Sequence, residues 1–326
     1  MGEKIQTQLK RVHAVVLLPL ALAAILRLLG ETLPSDEVWG HMAHSVSLSA
    51  WPWLCLLTPM WALYVWWRTG PWVWSMTVGV LVLPLAGIPF GADSGQGRSI
   101  LVANVNAYTA GRADLAEAMA LVGADVVIEV EARAKQIPGM NRKAHNFDTQ
   151  VSRPSHYSAV YCREGVVCEA VITEEFGARN MVMPLAIVRI DGSLCLMGTH
   201  GPPPVPFNIT GLVPYMERIA SHIEDGHMVK SWGPCRQGDP VIVAGDMNAV
   251  PGSWATRPFE GRGLSDPTVG HGLFATTWPS GGDWINFPLM QLDHIWVGGV
   301  QVGDVRTVRL PGSDHQAWFF RIKDGA

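Results

Sequence analysis

The chain is 326 residues long and carries 24 Lys+Arg against 28 Asp+Glu, a formal net charge of −4. That balance argues against a protein built to grip a polyanion across a broad basic face. Hydrophobic residues make up 48% of the chain and the mean hydropathy is +0.17, too high for a wholly soluble enzyme of this length.

The excess lies at the front, where eight of the 14 Trp fall between Trp39 and Trp74. Residues 12–29, 45–67 and 72–90 form nearly uncharged runs of about 18, 23 and 19 residues, each long enough to cross a bilayer's hydrocarbon core. Arg27 is near enough to a segment end to snorkel. Trp51, Trp53, Trp66, Trp67, Trp72 and Trp74 gather at the segment ends, as an aromatic belt requires. A signal peptide would account only for the first run. Residues 1–97 are therefore expected to hold three transmembrane helices and a Gly/Ser/Asp-rich linker. Lys4, Lys10, Arg11 and Arg68 place the N-terminus in the cytoplasm, although Arg27 and Arg98 pull the other way. Three crossings then leave residues 98–326 outside, on a multi-pass protein of the cell (inner) membrane.

From Arg98 onward the pattern is that of an α/β domain. Val- and Ile-rich runs at 100–105, 125–130, 159–162, 166–172, 181–190, 194–197, 241–244, 292–297 and 305–310 read as strands, with helical patterns at 113–121 and 209–223. Many strands, few helices and several hairpins point to two packed sheets covered by helices. Cys162, Cys168, Cys195 and Cys235 are four thiols in a compartment that permits disulfides. Cys162 and Cys168 flank Arg163-Glu164-Gly165 between two apolar runs, which reads as a hairpin with facing cysteines. Buried free thiols remain the alternative.

Polar residues cluster where these strands end. Asn104 and Asn106 close the first, Glu129 and Glu131 the second, and Thr199-His200 a later one. Gly245-Asp246-Met247-Asn248 follows the run at 241–244, Asp293 opens the next strand, and Ser313-Asp314-His315 precedes the last. Residues i and i+2 at a strand end share a direction, so Asp246 and Asn248 should converge, and sites in α/β folds are built at such ends. Taken singly each has a dull explanation, as a turn cap or a solvated charge; six in one domain do not.

In this order the motifs resemble the endonuclease/exonuclease/phosphatase superfamily, across essentially all of residues 98–326. The resemblance implies a four-layer α/β sandwich of two mixed sheets flanked by helices, and Mg²⁺- or Mn²⁺-dependent hydrolysis at phosphorus. It makes Glu131 the principal metal ligand, with Asn104 beside it and Asp314 completing the metal environment. Asp293 would orient His315, Asp246 would position or deprotonate water, Asn248 would hold a phosphoryl oxygen, and His200 would contact the phosphate. Asn106 and Tyr157 are expected to touch substrate. Asn106 stands where several nuclease relatives carry Asp, and Gly201-Pro-Pro-Pro204 where many have Leu. Glu129, on the expected face of Glu131, should be dispensable.

The acidic balance and the expected anchor favour a lipid-linked phosphate or phosphodiester over nucleic acid, since no Lys/Arg run exceeds Arg142-Lys143. An extracytoplasmic nuclease or nucleotide phosphodiesterase is the second expectation. A non-catalytic sensor is the third, disfavoured because Glu131, Asp246, Asn248, Asp293 and His315 are all present.

Overall fold

The structure is a computed structural model that describes residues 97–105, 112–131, 136–146, 157–176, 182–203, 209–268, 276–280 and 288–323, with Ile25 and Leu28. The three expected membrane spans lie outside the described residues. Among the described residues no helix is long and apolar enough to cross a membrane. The chain divides into two units, Met1–Pro89 with Gly270–Phe274, and Phe90–Val269 with Ala275–Ala326. The second carries every strand described.

In chain order its elements are β1 (Ser99–Asn104), α1 (Arg112–Val122), β2 (Val126–Val130), β3 (Met140–Asn146), β4 (Ser158–Arg163), β5 (Cys168–Phe176), β6 (Val182–Ile190), β7 (Leu194–His200), α2 (Ile209–Ala220), β8 (Ile223–Glu224), β9 (His227–Met228), β10 (Val241–Asp246), α3 (Arg257–Glu260), β11 (Asp293–Gly298), β12 (Val302–Arg309) and β13 (Gln316–Ile322). They form a six-stranded sheet, β12-β13-β1-β2-β4-β3, a five-stranded sheet, β11-β10-β7-β6-β5, and the small β8–β9 ribbon. β1 runs parallel to β2 and β7 parallel to β10; the other pairs are antiparallel.

Strand alternation sorts the side chains into three cores. Ile100, Val102, Val126, Ile128 and Val160 of the larger sheet meet Val188, Leu196, Ile242, Ala244 and Ile295 of the smaller one. On the outer face of the larger sheet Leu101, Val127 and Phe319 pack under Leu115 and Met119 of α1. On the outer face of the smaller sheet Met197, Val243 and Trp296 pack under Leu212, Met216 and Ile219 of α2 and Phe259 of α3. Strands buried on both faces need unbroken apolar runs, which is why the sequence shows them. The sheets approach so closely at Gly198 that a Cβ there would lie 2.3 Å from Ile128 Cγ2.

Two elements depart from expectation. β3, Met140-Asn-Arg-Lys-Ala-His-Asn146, is a strand that no apolar pattern announces. It lies at the sheet edge, where charged residues guard unpaired backbone groups. The segments bearing Cys162 and Cys168 are not a hairpin: β4 pairs with β2 and β3 in one sheet, whereas β5 pairs with β6 in the other. The two cysteines are nevertheless bonded, with Cα atoms 6.5 Å apart, so the bridge staples sheet to sheet. Cys195 of β7 is bonded to Cys235 in the loop before β10, a pairing the sequence left open.

Mass spectrometry of unreduced peptides should recover both bridges. A closed loop constrains the unfolded chain more as it lengthens, and the bridges span 6 and 40 residues. Cys195→Ala/Cys235→Ala should therefore cost about 4 kcal/mol of unfolding free energy and Cys162→Ala/Cys168→Ala about 2 kcal/mol. Equal losses would contradict the loop-length account.

Candidate active site

At one end of the sandwich the inner-facing positions change from apolar to polar. On β1 the inner series Ile100, Val102 ends in Asn104; on β7 Leu194, Leu196, Gly198 ends in His200; on β10 Ile242, Ala244 ends in Asp246. β11 runs the other way, so its inner series Ile295, Val297 begins at Asp293. Asn104, His200, Asp246 and Asp293 are each at most 3% exposed. Gly245 lets β10 lie against β7 at this point: its φ is 142°, and a Cβ would fall 2.0 Å from the Thr199 carbonyl oxygen.

Glu131 reaches the same place by a different route. Alternation would send it, like Glu129, to the outer face. Its φ of 53° breaks the alternation and turns it inward, a backbone state that persists only where surrounding contacts enforce it. Glu129 itself is fully buried on the helix side, among Ala103, Ala159 and Tyr161. The expectation that the two glutamates share a face is therefore wrong.

The convergent groups form one network. Asn104 Nδ2 donates to Asp246 Oδ2 at 2.8 Å and to Glu131 Oε1 at 3.3 Å. His200 Nε2 stands 3.4 Å from Glu131 Oε1 and 3.7 Å from Asp246 Oδ2. His315 Nδ1 lies 2.8 Å from Asp293 Oδ2, and its Nε2 is 3.8 Å from Asp246 Oδ2. The ligand-capable atoms of Glu131, His200 and Asp246 all lie within 4.8 Å of one another, as do those of Asp246, Asp293 and His315. Asp246 belongs to both groups. In the second, Asp293 is already engaged by His315. The first joins the Nε2 of His200 to two carboxylates, hard donors of the kind that hold Mg²⁺ alongside waters and substrate oxygens.

Asn248 also has positive φ, 49°, a region Asn enters more readily than most residues. Its N–H donates to Asp246 Oδ1 at 2.7 Å, and its amide donates to Gly201 O at 2.9 Å and Asp246 Oδ2 at 3.3 Å. The carboxamide is thus tied to the turn, and a phosphoryl oxygen would have to displace the longer of these bonds. Ser313 Oγ donates to Asn104 O at 2.7 Å and accepts from His315 N at 3.0 Å, lashing the His315 loop to the end of β1.

Burial of Asp246 and the nearby Asp293 carboxylate push its pKa up to about 6, against the pull of His315 and His200. Burial disfavours the imidazolium of His315, but Asp293 and Asp246 outweigh it and raise the pKa to about 10. At neutral pH the site therefore presents a carboxylate able to accept a proton next to a cationic donor.

Asp314 stands outside both donor groups: its Oδ2 accepts from Trp278 Nε1 at 3.3 Å. Tyr157 packs against the helix-side core of the larger sheet. Asn106 lies outside the described residues. Trp278 and Thr277 carried no signal in the sequence. Thr277 Oγ1 accepts from Leu292 N at 3.1 Å and Asp293 N at 3.2 Å, fixing the start of β11 from 15 and 16 residues away.

A model of the Endonuclease/Exonuclease/phosphatase family matches residues 101–315. The chain belongs to this family. Members of the family hydrolyse phosphate esters, and this chain is a hydrolase of that class. Among solved structures it is similar to the endonuclease domain of TRAS1, a telomere-specific non-LTR retrotransposon, at 16% identity over 70% of this chain and 98% of that one, with a TM-score of 0.48. It is also similar to a humanized TDP2 of D. rerio, at 16% identity over 69% and 98% with a TM-score of 0.48. A third is sphingomyelinase C from Streptomyces griseocarneus, at 14% identity over 70% and 99% with a TM-score of 0.42. No curated protein matches the chain.

Hydrolysis that needs Asp246 ionised and His315 protonated should fall toward acid pH, below about 6 where a cation favours the ionised carboxylate, and again toward alkaline pH, at or below about 10. Asp293→Asn removes a negative charge that raises both pKa values, so both limbs of the kcat/KM profile should move to lower pH. A profile whose limbs stay in place would show that other groups set it.

Proposed function

We propose that this protein is a membrane-anchored, Mg²⁺-dependent phosphohydrolase or phosphodiesterase whose catalytic domain lies outside the cytoplasm and acts on a lipid-linked phosphate ester. The observation that carries the catalytic part is the meeting of Glu131, His200 and Asp246 beside the Asp293–His315 pair. Glu131 would hold the cation, with Asp246 kept beside it by Asn104, whose Nδ2 donates to both carboxylates. A bound Mg²⁺ would supply positive charge to a phosphoryl oxygen; Mn²⁺ suits the same donors.

The chain's own groups divide the remaining work. Asp246 accepts a proton from the attacking water. Asp293 Oδ2 accepts a 2.8 Å hydrogen bond from the Nδ1–H of His315, which aims Nε2 at the cleft. There the imidazolium donates to an oxygen on phosphorus and offsets its charge. His200, its Nε2 directed at the carboxylates, is placed to contact the same phosphate.

Two disulfides support a location outside the reducing cytoplasm. Lys4, Lys10, Arg11 and Arg68 support the same orientation through the positive-inside rule. A domain so anchored meets lipid phosphates before nucleic acid, and the acidic balance of the chain favours that order.

The test is a metal-dependent activity screen of the full chain in detergent against polyprenyl phosphates, phospholipids, sphingomyelin and DNA. Chelation should abolish turnover and Mg²⁺ restore it. Glu131→Ala and His315→Ala should each lower kcat by at least about a hundredfold with the fold retained, a loss typical of groups acting on charge in the transition state. Glu129→Ala should leave kcat per folded molecule unchanged but cost about 1–3 kcal/mol of stability, because its buried neighbour Tyr161 loses a partner. DNA as the sole substrate would select the nuclease instead. Reporter fusions at the C-terminus decide the orientation, and activity confined to cytoplasmic reporters would overturn it together with the lipid substrate.

A further inference from the structure

His294 follows Asp293 on β11 but faces the opposite way, toward the helix-side core with Trp296. It is fully buried. Opposite it in the β10–β11 ladder is Gly245, which puts no side chain beside the ring. Both ring nitrogens reach oxygen acceptors far along the chain: Nδ1 lies 2.8 Å from Asp266 Oδ2, and Nε2 lies 2.8 Å from the carbonyl oxygen of Ala249. Asp266 is itself secured, since its Oδ1 accepts from Thr268 N at 2.8 Å and from the Thr268 hydroxyl. Gln291 Nε2 donates to that hydroxyl in turn.

The partner at Nε2 gives this arrangement its meaning. Ala249 directly follows Asn248, whose left-handed backbone is open to Asn but is fixed in one arrangement only by contacts on both sides of the turn. On the cleft side the turn is held by Asp246 and Gly201. On the reverse side, His294 holds it. The ring thus joins β11 to segments 28 and 45 residues away, one of them the turn that carries Asn248.

We propose that His294 is a positioning residue of this site, a clamp anchored on Asp266 that fixes the Asp246–Ala249 turn and so sets Asn248 beside the Asp246 carboxylate. It rests on the catalytic role proposed for that turn. An imidazolium suits the task because, with both nitrogens protonated toward their oxygen acceptors, it offers two donors on opposite edges of one rigid ring. The Asp266 carboxylate supplies the counter-charge that a buried doubly donating ring requires.

The test uses the full chain in detergent, with hydrogen exchange read by mass spectrometry and kinetics on bis(p-nitrophenyl) phosphate. In His294→Ala, exchange in the 246–250 segment should rise by roughly tenfold or more while β1 and β6 keep wild-type protection. kcat should fall by about 10–100-fold, as loss of outer-shell partners does, with KM unchanged. His294→Gln, which can keep a donor to Ala249 O, should recover part of both. The double variant with Asn248→Ala should be no slower than Asn248→Ala alone. Wild-type exchange at 246–250, deprotection spread evenly through the domain, or losses that multiply in the double variant would each overturn the proposal. If His294→Ala does not fold, His294→Gln and Asp266→Asn decide by the same readouts. An inactive wild type would remove the catalytic role of the turn, while the exchange pattern would still decide whether His294 clamps it.

Discussion

The site depends on a parity. Along β1, β7, β10 and β11 every second residue faces the space between the sheets, and that space is apolar until the strands reach one end. There the same parity delivers Asn104, His200, Asp246 and Asp293 to a common point. No loop has to carry these groups, because the pleat that packs Ile242 and Ala244 also aims Asp246. A strand slipped by one residue would turn its catalytic group to the helix layer and bury a different set of residues between the sheets. Packing and site geometry are therefore set by one register, and Gly198 shows how tightly it is drawn, with Ile128 occupying the volume its side chain would need.

Three residues of the site escape the parity: His315 comes from the turn before β13, and Glu131 and Asn248 enter through left-handed backbone. Glu131 is rotated into the cleft at φ 53°, and Asn248 holds its turn at φ 49°. Such conformations cost free energy of order 1 kcal/mol or more outside Gly. Asn104 and His200 meet Glu131 from one side, while Gly201 and Asp246 hold Asn248. Within the site, left-handed backbone falls at two of the positions where a periodic strand cannot deliver its group.

The same distinction explains what could be read in the sequence. Strands buried on both faces appear as Val/Ile runs, so β1, β2, β6, β7 and β10 were visible, as were the polar residues that end them. β3 was not, because an edge strand with one solvent face has no such pattern. Period-two alternation puts Glu129 and Glu131 on one face only while strand geometry is unbroken, and a single backbone angle at Glu131 separates them. The Cys162–Cys168 bridge was anticipated for the wrong reason: short spacing suggested a hairpin, whereas the chain crosses between sheets there. Contacts such as Thr277 to Asp293 and Trp278 to Asp314 depend on segments distant in sequence and leave no local trace.

Charge at the strand ends opposes stability, and the site offsets that within itself. Asp246 has its folded pKa raised above the usual carboxylate value, so the contribution of its protonated form is present at low pH and lost as pH rises through about 6. At neutral pH its ionised form weighs against folding. His315 has its pKa raised as well, so the direction is the same although the favoured form is the charged one: its stabilisation is fully present below the ordinary imidazole range and lost only as pH rises through about 10. The pair compensates because the Asp246 charge that is costly to bury is one of the charges holding the His315 proton. A divalent cation beside Glu131 and Asp246 would act in the same sense, favouring the ionised carboxylate and lowering its pKa, and would stabilise the folded state by mass action. The two disulfides, one joining the sheets and one tying β7 to the loop before β10, reinforce the scaffold that keeps those charges together.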